Sequence, residues 1–186
     1  MLITLLELER EPVSFDTSIP SGAIDYGSDA AQVGPLAVHG QAELLREHRG
    51  PKEIIEDIRA RAHWSGDFEA PCARCLEPVR HRLGGDFDLL FRPLGADAGL
   101  AERSLVAPET EISYYQEEGL VLEDVLREQV LLSLPARTLC RQDCKGLCPR
   151  CGRNLNSEPC TCGDQPSDPR WSALSDLRSR LEPKES

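Results

Sequence analysis

Eight cysteines fall in four close pairs: Cys72–Cys75, Cys140–Cys144, Cys148–Cys151 and Cys160–Cys162. A C-x-x-C spacing lets one turn of backbone present two thiolates to a single ion, and zinc takes four such ligands in a tetrahedron. The stretch "CPRCG" reads as a zinc knuckle. Pro149 bends the chain between the ligands, and Gly152 supplies the positive φ that folds the backbone back toward the sulfurs. "CTCG" gives a further close pair, followed by Gly163. The loop between the pairs, "GRNLNSEP", has little apolar surface, so metal is needed to order it. The preferred division is four plus four. Cys148, Cys151, Cys160 and Cys162 form a local site, and Cys72, Cys75, Cys140 and Cys144 clasp a hairpin tip to the chain that follows a helix. A rival division groups Cys144, Cys148, Cys151 and Cys160 and leaves the others unliganded or weakly paired. Catalytic zinc keeps an open position and recruits His or a carboxylate. Thiolates alone fill both sites here, so the two expected zinc ions are structural.

Cysteines also serve as disulfides, redox groups and cluster ligands. A disulfide framework requires an oxidising compartment. "MLITLLELERE" lacks the basic region and cleavage site of a secretory signal, and no apolar run approaches the roughly 18–20 residues that span a bilayer. The reading is a cytoplasmic protein with no membrane partner. A redox C-x-x-C sits where a strand meets a helix, whereas "PCARCLEP" lies between two strands. Iron–sulfur ligation fits the spacing as well. There is no phosphate-cradling glycine loop and no evident Ser–His–Asp arrangement. Of the histidines His39, His48, His63 and His81, only His81 lies near enough to Cys75 to substitute as a ligand, and a strand-surface role is preferred for it. No enzyme activity and no small-molecule substrate are expected.

The formal charge of −11 disfavours a general nucleic-acid coat. The charge is uneven, though. Residues 109–128 hold Glu109, Glu111, Glu117, Glu118, Glu123, Asp124 and Glu128 against Arg127. Residues 135–153 hold Arg137, Arg141, Lys145, Arg150 and Arg153 against Asp143. The cysteine region is the basic end of an acidic molecule.

These residues need elements to position them. Period-two alternation predicts strands over 36–44, with Val38, Gly40, Ala42 and Leu44 on one side, and over 58–64. "HRGPK" between them is turn-like, although Ile54, Ile55 and Ile58 also suit a helix after Pro51. A third strand is expected over 79–91, with Gly84-Gly85 as a possible bulge. Residues 16–35 and 93–110 read as loops. An amphipathic helix at about 119–134 follows from Leu122, Leu126, Val130 and Leu134, stopped by Pro135. A C-terminal helix is expected from Asp168 and Pro169, with Trp171, Leu174, Leu177 and Leu181 as its stripe. The fold class is α+β: a mainly antiparallel sheet, meander or partial barrel. Its divisions are a sheet-plus-helix core at 1–135, a cysteine-rich zinc-binding segment at 136–165, and a helix and tail at 166–186.

"PCARCLEPV", "LREQVLLSLP", "LCRQDCKGLCPRCGRNLNSEPCTC" and "DPRWSALSDL", in that order, resemble the YceD family of large ribosomal RNA subunit accumulation proteins. The resemblance implies a role in synthesis, processing or stability of large-subunit ribosomal RNA, within ribosome biogenesis. Beside it stands an electrostatic reading. Arg74, Arg80 and Arg82 near the first pair, with Arg137, Arg141, Lys145, Arg150 and Arg153 around the others, would meet RNA phosphates on precursor particles. The alternative is an acidic chaperone or adaptor for a basic ribosomal protein.

Overall fold

The computed structural model describes residues 1–48, 54–96, 112–116 and 118–162. The chain runs β1 (Leu2–Thr4), α1 (Leu5–Leu8), β2 (Val13–Ile19), β3 (Ala31–Gln32), β4 (Leu36–His48), β5 (Ile54–Pro71), β6 (Pro78–Pro93), β7 (Ile112–Tyr115), β8 (Gly119–Val121) and α2 (Leu122–Ser133). The main sheet has the order β2-β4-β5-β6-β7, and β3 pairs with the far end of β5. Every ladder in it is antiparallel except β6–β7, which is parallel. β1 and β8 form a separate two-stranded ladder.

Alternation decides which side of each strand is buried. Val38, Ala42, Ala60, Trp64, Phe68, Phe87 and Phe91 face the core, while His39, Arg61, His63, Asp86 and Asp88 face water. Two rows across the sheet follow one rule of size. Phe15, Gly40, Ala62 and Phe87 lie in register, as do Val13, Ala42, Ala60 and Leu89. Large side chains on the outer strands thus flank small ones in the middle, leaving a trough. Leu122, Val125, Leu126 and Val130 of α2, with Ile24, Tyr26 and Ala30, join these residues in one buried cluster. Tyr26 and Trp64 both meet Phe68 edge-on, with ring centroids 5.5 and 6.5 Å apart.

Four sequence expectations change. The helix starts at Leu122, and residues 119–121 are strand β8, whose partner β1 lies at the other end of the chain. Gly84-Gly85 is no bulge, because Trp64 pairs with Gly85 and Ser65 with Gly84 in an unbroken ladder. A Cβ on Gly84 would stand 2.9 Å from Trp64 O, closer than a side chain allows, whereas one on Gly85 would meet the Trp64 indole nitrogen at an ordinary 3.8 Å. Residues 16–35 are not wholly loop, since β2 and β3 use part of them. Ile54 and Ile55 belong to β5, not to a helix. The expected C-terminal helix with Trp171, and most of the 93–110 loop, fall outside the described residues.

Among the described residues, one ion pair has both side chains buried. Arg92 and Asp57 have side chains only 5% exposed, and the guanidinium grips the carboxylate with Nε at 3.1 Å and Nη2 at 2.9 Å. Glu47 also accepts from Arg92 Nη2 at 2.7 Å.

Candidate metal centre

β5 and β6 run past the rest of the sheet to Pro71 and Pro78, which pair with each other. The turn beyond them carries Cys72 and Cys75. Cys72 N donates to Glu77 O at 2.9 Å, and Leu76 N donates to Cys72 O at 2.9 Å. After α2, the chain returns to this tip: Ala73 N donates to Thr138 O at 2.8 Å, and Cys140 N points at Cys72 Sγ, 3.4 Å away. Cys140 and Cys144 are thereby delivered to the hairpin.

The eight sulfurs form two groups. Those of Cys72, Cys75, Cys140 and Cys144 all lie within 4.8 Å of one another, and so do those of Cys148, Cys151, Cys160 and Cys162. Cys144 sits with the hairpin cysteines and not with the knuckle that follows it. Four thiolates about 2.3 Å from one ion stand about 3.8 Å apart by tetrahedral geometry. Cys72–Cys144 and Cys75–Cys140 measure 3.9 and 3.6 Å in the first cluster, and Cys151–Cys160 and Cys148–Cys160 measure 3.6 and 3.3 Å in the second. The donor set fits a tetrahedral metal ion in each place. His81 is no part of either cluster; its Nε2 lies 3.3 Å from Thr138 Oγ1.

Proton affinities within the clusters are split. Backbone N–H groups of Cys75 and Cys140 lower the Cys72 thiol to about 6. Those of Cys151 and Arg150 lower Cys148 to about 6. Desolvation and the neighbouring sulfurs push Cys140 up to about 12, and the adjacent Cys160 and Cys151 do the same to Cys162. Cys144 is lowered too, since desolvation is outweighed by hydrogen bonds from the Asn156 amide and the Gly146 backbone N–H. Each cluster thus sets readily ionised thiols beside others that hold their protons, a resistance that a cation among them removes.

The clusters are joined by Lys145, Gly146 and Leu147. Leu147 N donates to Arg74 O at 3.1 Å, and Leu155 N donates to Gly146 O at 2.9 Å. Gly146 has φ +77, and a Cβ there would lie 3.0 Å from Arg74 O. The polar loop holds two residues whose part the sequence did not reveal. Asn156 Nδ2 donates to Cys144 Sγ at 3.2 Å and to Asn154 Oδ1 at 2.9 Å. Asn156 Oδ1 accepts from Lys145 N and from Arg141 Nη2, both at 2.8 Å. Asn154 Nδ2 donates to Glu77 Oε1 at 3.3 Å. The Asn-x-Asn spacing was the available signal, but nothing local tells such residues from ordinary loop asparagines.

The eight basic candidates have different fates. Arg74 turns inward and donates to Gln142 O and Cys144 O at 3.2 and 2.7 Å. Arg80 pairs with Glu69 at 2.9 Å, Arg141 with Asp143 at 3.5 Å and Arg153 with Glu158 at 3.3 Å. Arg82, Arg137, Lys145 and Arg150 are exposed and have no ion pair among the described residues. Arg82 stands opposite Asp67 on the sheet, apart from the clusters.

Comparison with known proteins completes the site. A family model described as "Large ribosomal RNA subunit accumulation protein YceD" matches residues 60–178, a span that includes all eight cysteines. An uncharacterized protein of Mycobacterium tuberculosis is 37% identical over 128 residues, covering 66% of this chain and 58% of that one. The chain therefore spans less than two thirds of the length of that relative. An uncharacterized protein of Mycobacterium leprae is 28% identical over 127 residues, covering 68% of this chain and 55% of its own. The "Large ribosomal RNA subunit accumulation protein YCED homolog 1, chloroplastic" of Arabidopsis thaliana is 37% identical over 60 residues, 32% of this chain and 19% of that protein. No solved structure matches.

Proposed function

The chain belongs to the YceD family of large ribosomal RNA subunit accumulation proteins, and from that premise we propose that it is a non-enzymatic, zinc-dependent factor of ribosome biogenesis in the cytoplasm. It supports the synthesis, processing or stability of large-subunit ribosomal RNA by contacting that RNA at the metal-ordered end of the sheet. The observation that carries this reading is the pair of four-cysteine clusters, which fix a polar segment against the hairpin tip. On that segment Lys145 and Arg150 stand exposed, with no carboxylate partner among the described residues. Zinc supplies cross-linking in place of apolar burial. The chain's own backbone N–H groups favour the thiolate form of Cys72 and Cys148 and so prepare both clusters to receive it.

Contacts of this kind are made to phosphates and weaken with salt. Ultraviolet crosslinking in cells, with sequencing of the attached RNA, tests the reading. Crosslinks should concentrate on precursor large-subunit RNA. Lys145→Glu with Arg150→Glu should weaken them and lower the salt slope of binding by about 1 per lost phosphate contact. Arg74→Ala should instead act through the fold, since Arg74 is engaged with carbonyls. Recovery of a basic ribosomal protein without RNA crosslinks would overturn the RNA reading and favour a protein-binding role for the acidic surface.

A further inference from the structure

The second cluster closes around a loop that reaches back to the first. Asn156 lies between Cys151 and Cys160 in sequence, yet its side-chain amide donates to Cys144 Sγ, a ligand of the hairpin cluster, at 3.2 Å. All four partners of that amide agree on its orientation: two acceptors face Nδ2 and two donors face Oδ1. The assignment of nitrogen and oxygen therefore follows from the network. The loop has few apolar side chains to fix it, Leu155 being the main one. Polar contacts hold it, Leu155 N to Gly146 O and Asn154 Nδ2 to Glu77 Oε1 among them, and both of its ends run into the second cluster's cysteines.

We propose that the two clusters bind metal cooperatively, with Asn156 as the positioning residue that couples them. Metal in the second cluster closes the 148–162 loop and seats Asn156 against Cys144. The N–H···S contact stabilises the negative sulfur and keeps it aimed at the ion, as outer-shell donors do in metal sites. Coupling of this kind is reciprocal, so metal in the hairpin cluster favours the second by the same factor. In the hairpin cluster Cys72, Cys75 and Cys144 are buried and Cys140 is exposed, whereas in the second Cys148 is buried, Cys151 is exposed and Cys160 and Cys162 are half-buried. The second cluster is the one a chelator reaches first, and its state is passed to the hairpin clasp. A buried structural joint thereby reports on free zinc outside.

The inference rests on both clusters binding zinc, and the experiment separates the two claims. Full-length protein is loaded with cobalt(II), whose thiolate bands report ligand number, and each cluster's affinity is measured by competition with zinc. A second series lacks the outer cluster through Cys148→Ser, Cys151→Ser, Cys160→Ser and Cys162→Ser. Asn156→Ala should weaken the hairpin cluster by about tenfold. Loss of the outer cluster should weaken it by a similar factor, and combining both changes should add little. Asn156→Asp keeps the acceptor oxygen and replaces the donor with a charge, so it should weaken the cluster at least as much while circular dichroism shows the sheet intact. Uptake of two ions with affinities that ignore each other, or additive effects of the two changes, would overturn the coupling alone. Uptake of none by the unaltered protein would overturn the metal reading beneath it.

Discussion

Leu76 and Gly152 occupy the same position in two cysteine turns, the residue after C-x-x-C, and both take positive φ, 62° and 70°. Glycine adopts this conformation freely, whereas a residue with a Cβ gives up roughly 1–2 kcal/mol. Leu76 is 64% exposed, so little packing offsets that strain. Leu76→Gly should therefore raise stability by about 1 kcal/mol, read as an increase of about 2–4 °C in Tm; a lower Tm would mean that the leucine packs on something the turn needs. The thiols yield a second prediction. Cys140 and Cys162, pushed up to about 12, hold their protons at neutral pH and must release them to a metal ion. Cys72 and Cys148, lowered to about 6, begin to compete for protons only as pH falls through that value. Both effects have one sign: zinc affinity falls as pH falls. Chelator competition at about pH 8 and about pH 6 should differ by well over tenfold, since several protons leave per ion. A flat profile would remove the thiols from the ligand set.

At the scale of elements, the sheet was legible where burial was one-sided. Over 36–44, 58–64 and 78–88 the strands alternate because one face meets the core and the other meets water, which is the condition that prints period two on a sequence. β2 also alternates, through Val13, Phe15 and Ile19, but its polar side and the Ser, Gly and Pro residues after it made the stretch read as loop. β8 was absorbed into the helix because Leu120 and Val121 fit an apolar spacing and their partner, β1, lies more than 100 residues away. Local windows cannot see such a partner. The buried Arg92–Asp57 pair was equally hidden, since either residue on a strand reads as solvated. Removing Arg92 takes from the buried Asp57 carboxylate the guanidinium that grips it, so Arg92→Ala should cost about 3–5 kcal/mol. Replacing both, with Asp57→Leu and Arg92→Met, should recover most of that loss in denaturant melts.

For the whole molecule, two kinds of cohesion divide the chain. The sheet and α2 share one apolar cluster, while residues 136–162 are tied in by sulfur, by hydrogen bonds and by a small group around Cys72, Cys75 and Cys144. Treatment with a strong chelator should therefore leave the far-ultraviolet strand signal largely unchanged and open residues 136–162 to protease. Cleavage spread evenly through the sheet would mean that metal supports the core as well. The cysteine clusters were visible in the sequence because thiolate spacing is a local property. Asn156 was not, because its role exists only once the loop has closed over Cys144.

The clasp also has a schedule. Cys72 and Cys75 leave the ribosome before Cys140 and Cys144, and 69 residues separate Cys75 from Cys144 (144 − 75). At roughly 5–20 residues per second, the growing chain waits roughly 3–14 s with half of its first binding site exposed. During that interval the hairpin tip is a two-thiol trap for metal, open to exchange or theft. Thiol labelling of ribosome-bound chains should mark Cys72 when synthesis is halted before Cys140 and spare it once Cys144 is clear of the exit tunnel. Equal protection at both stages would mean that the tip captures its ion alone, and that the later pair only locks a door already shut.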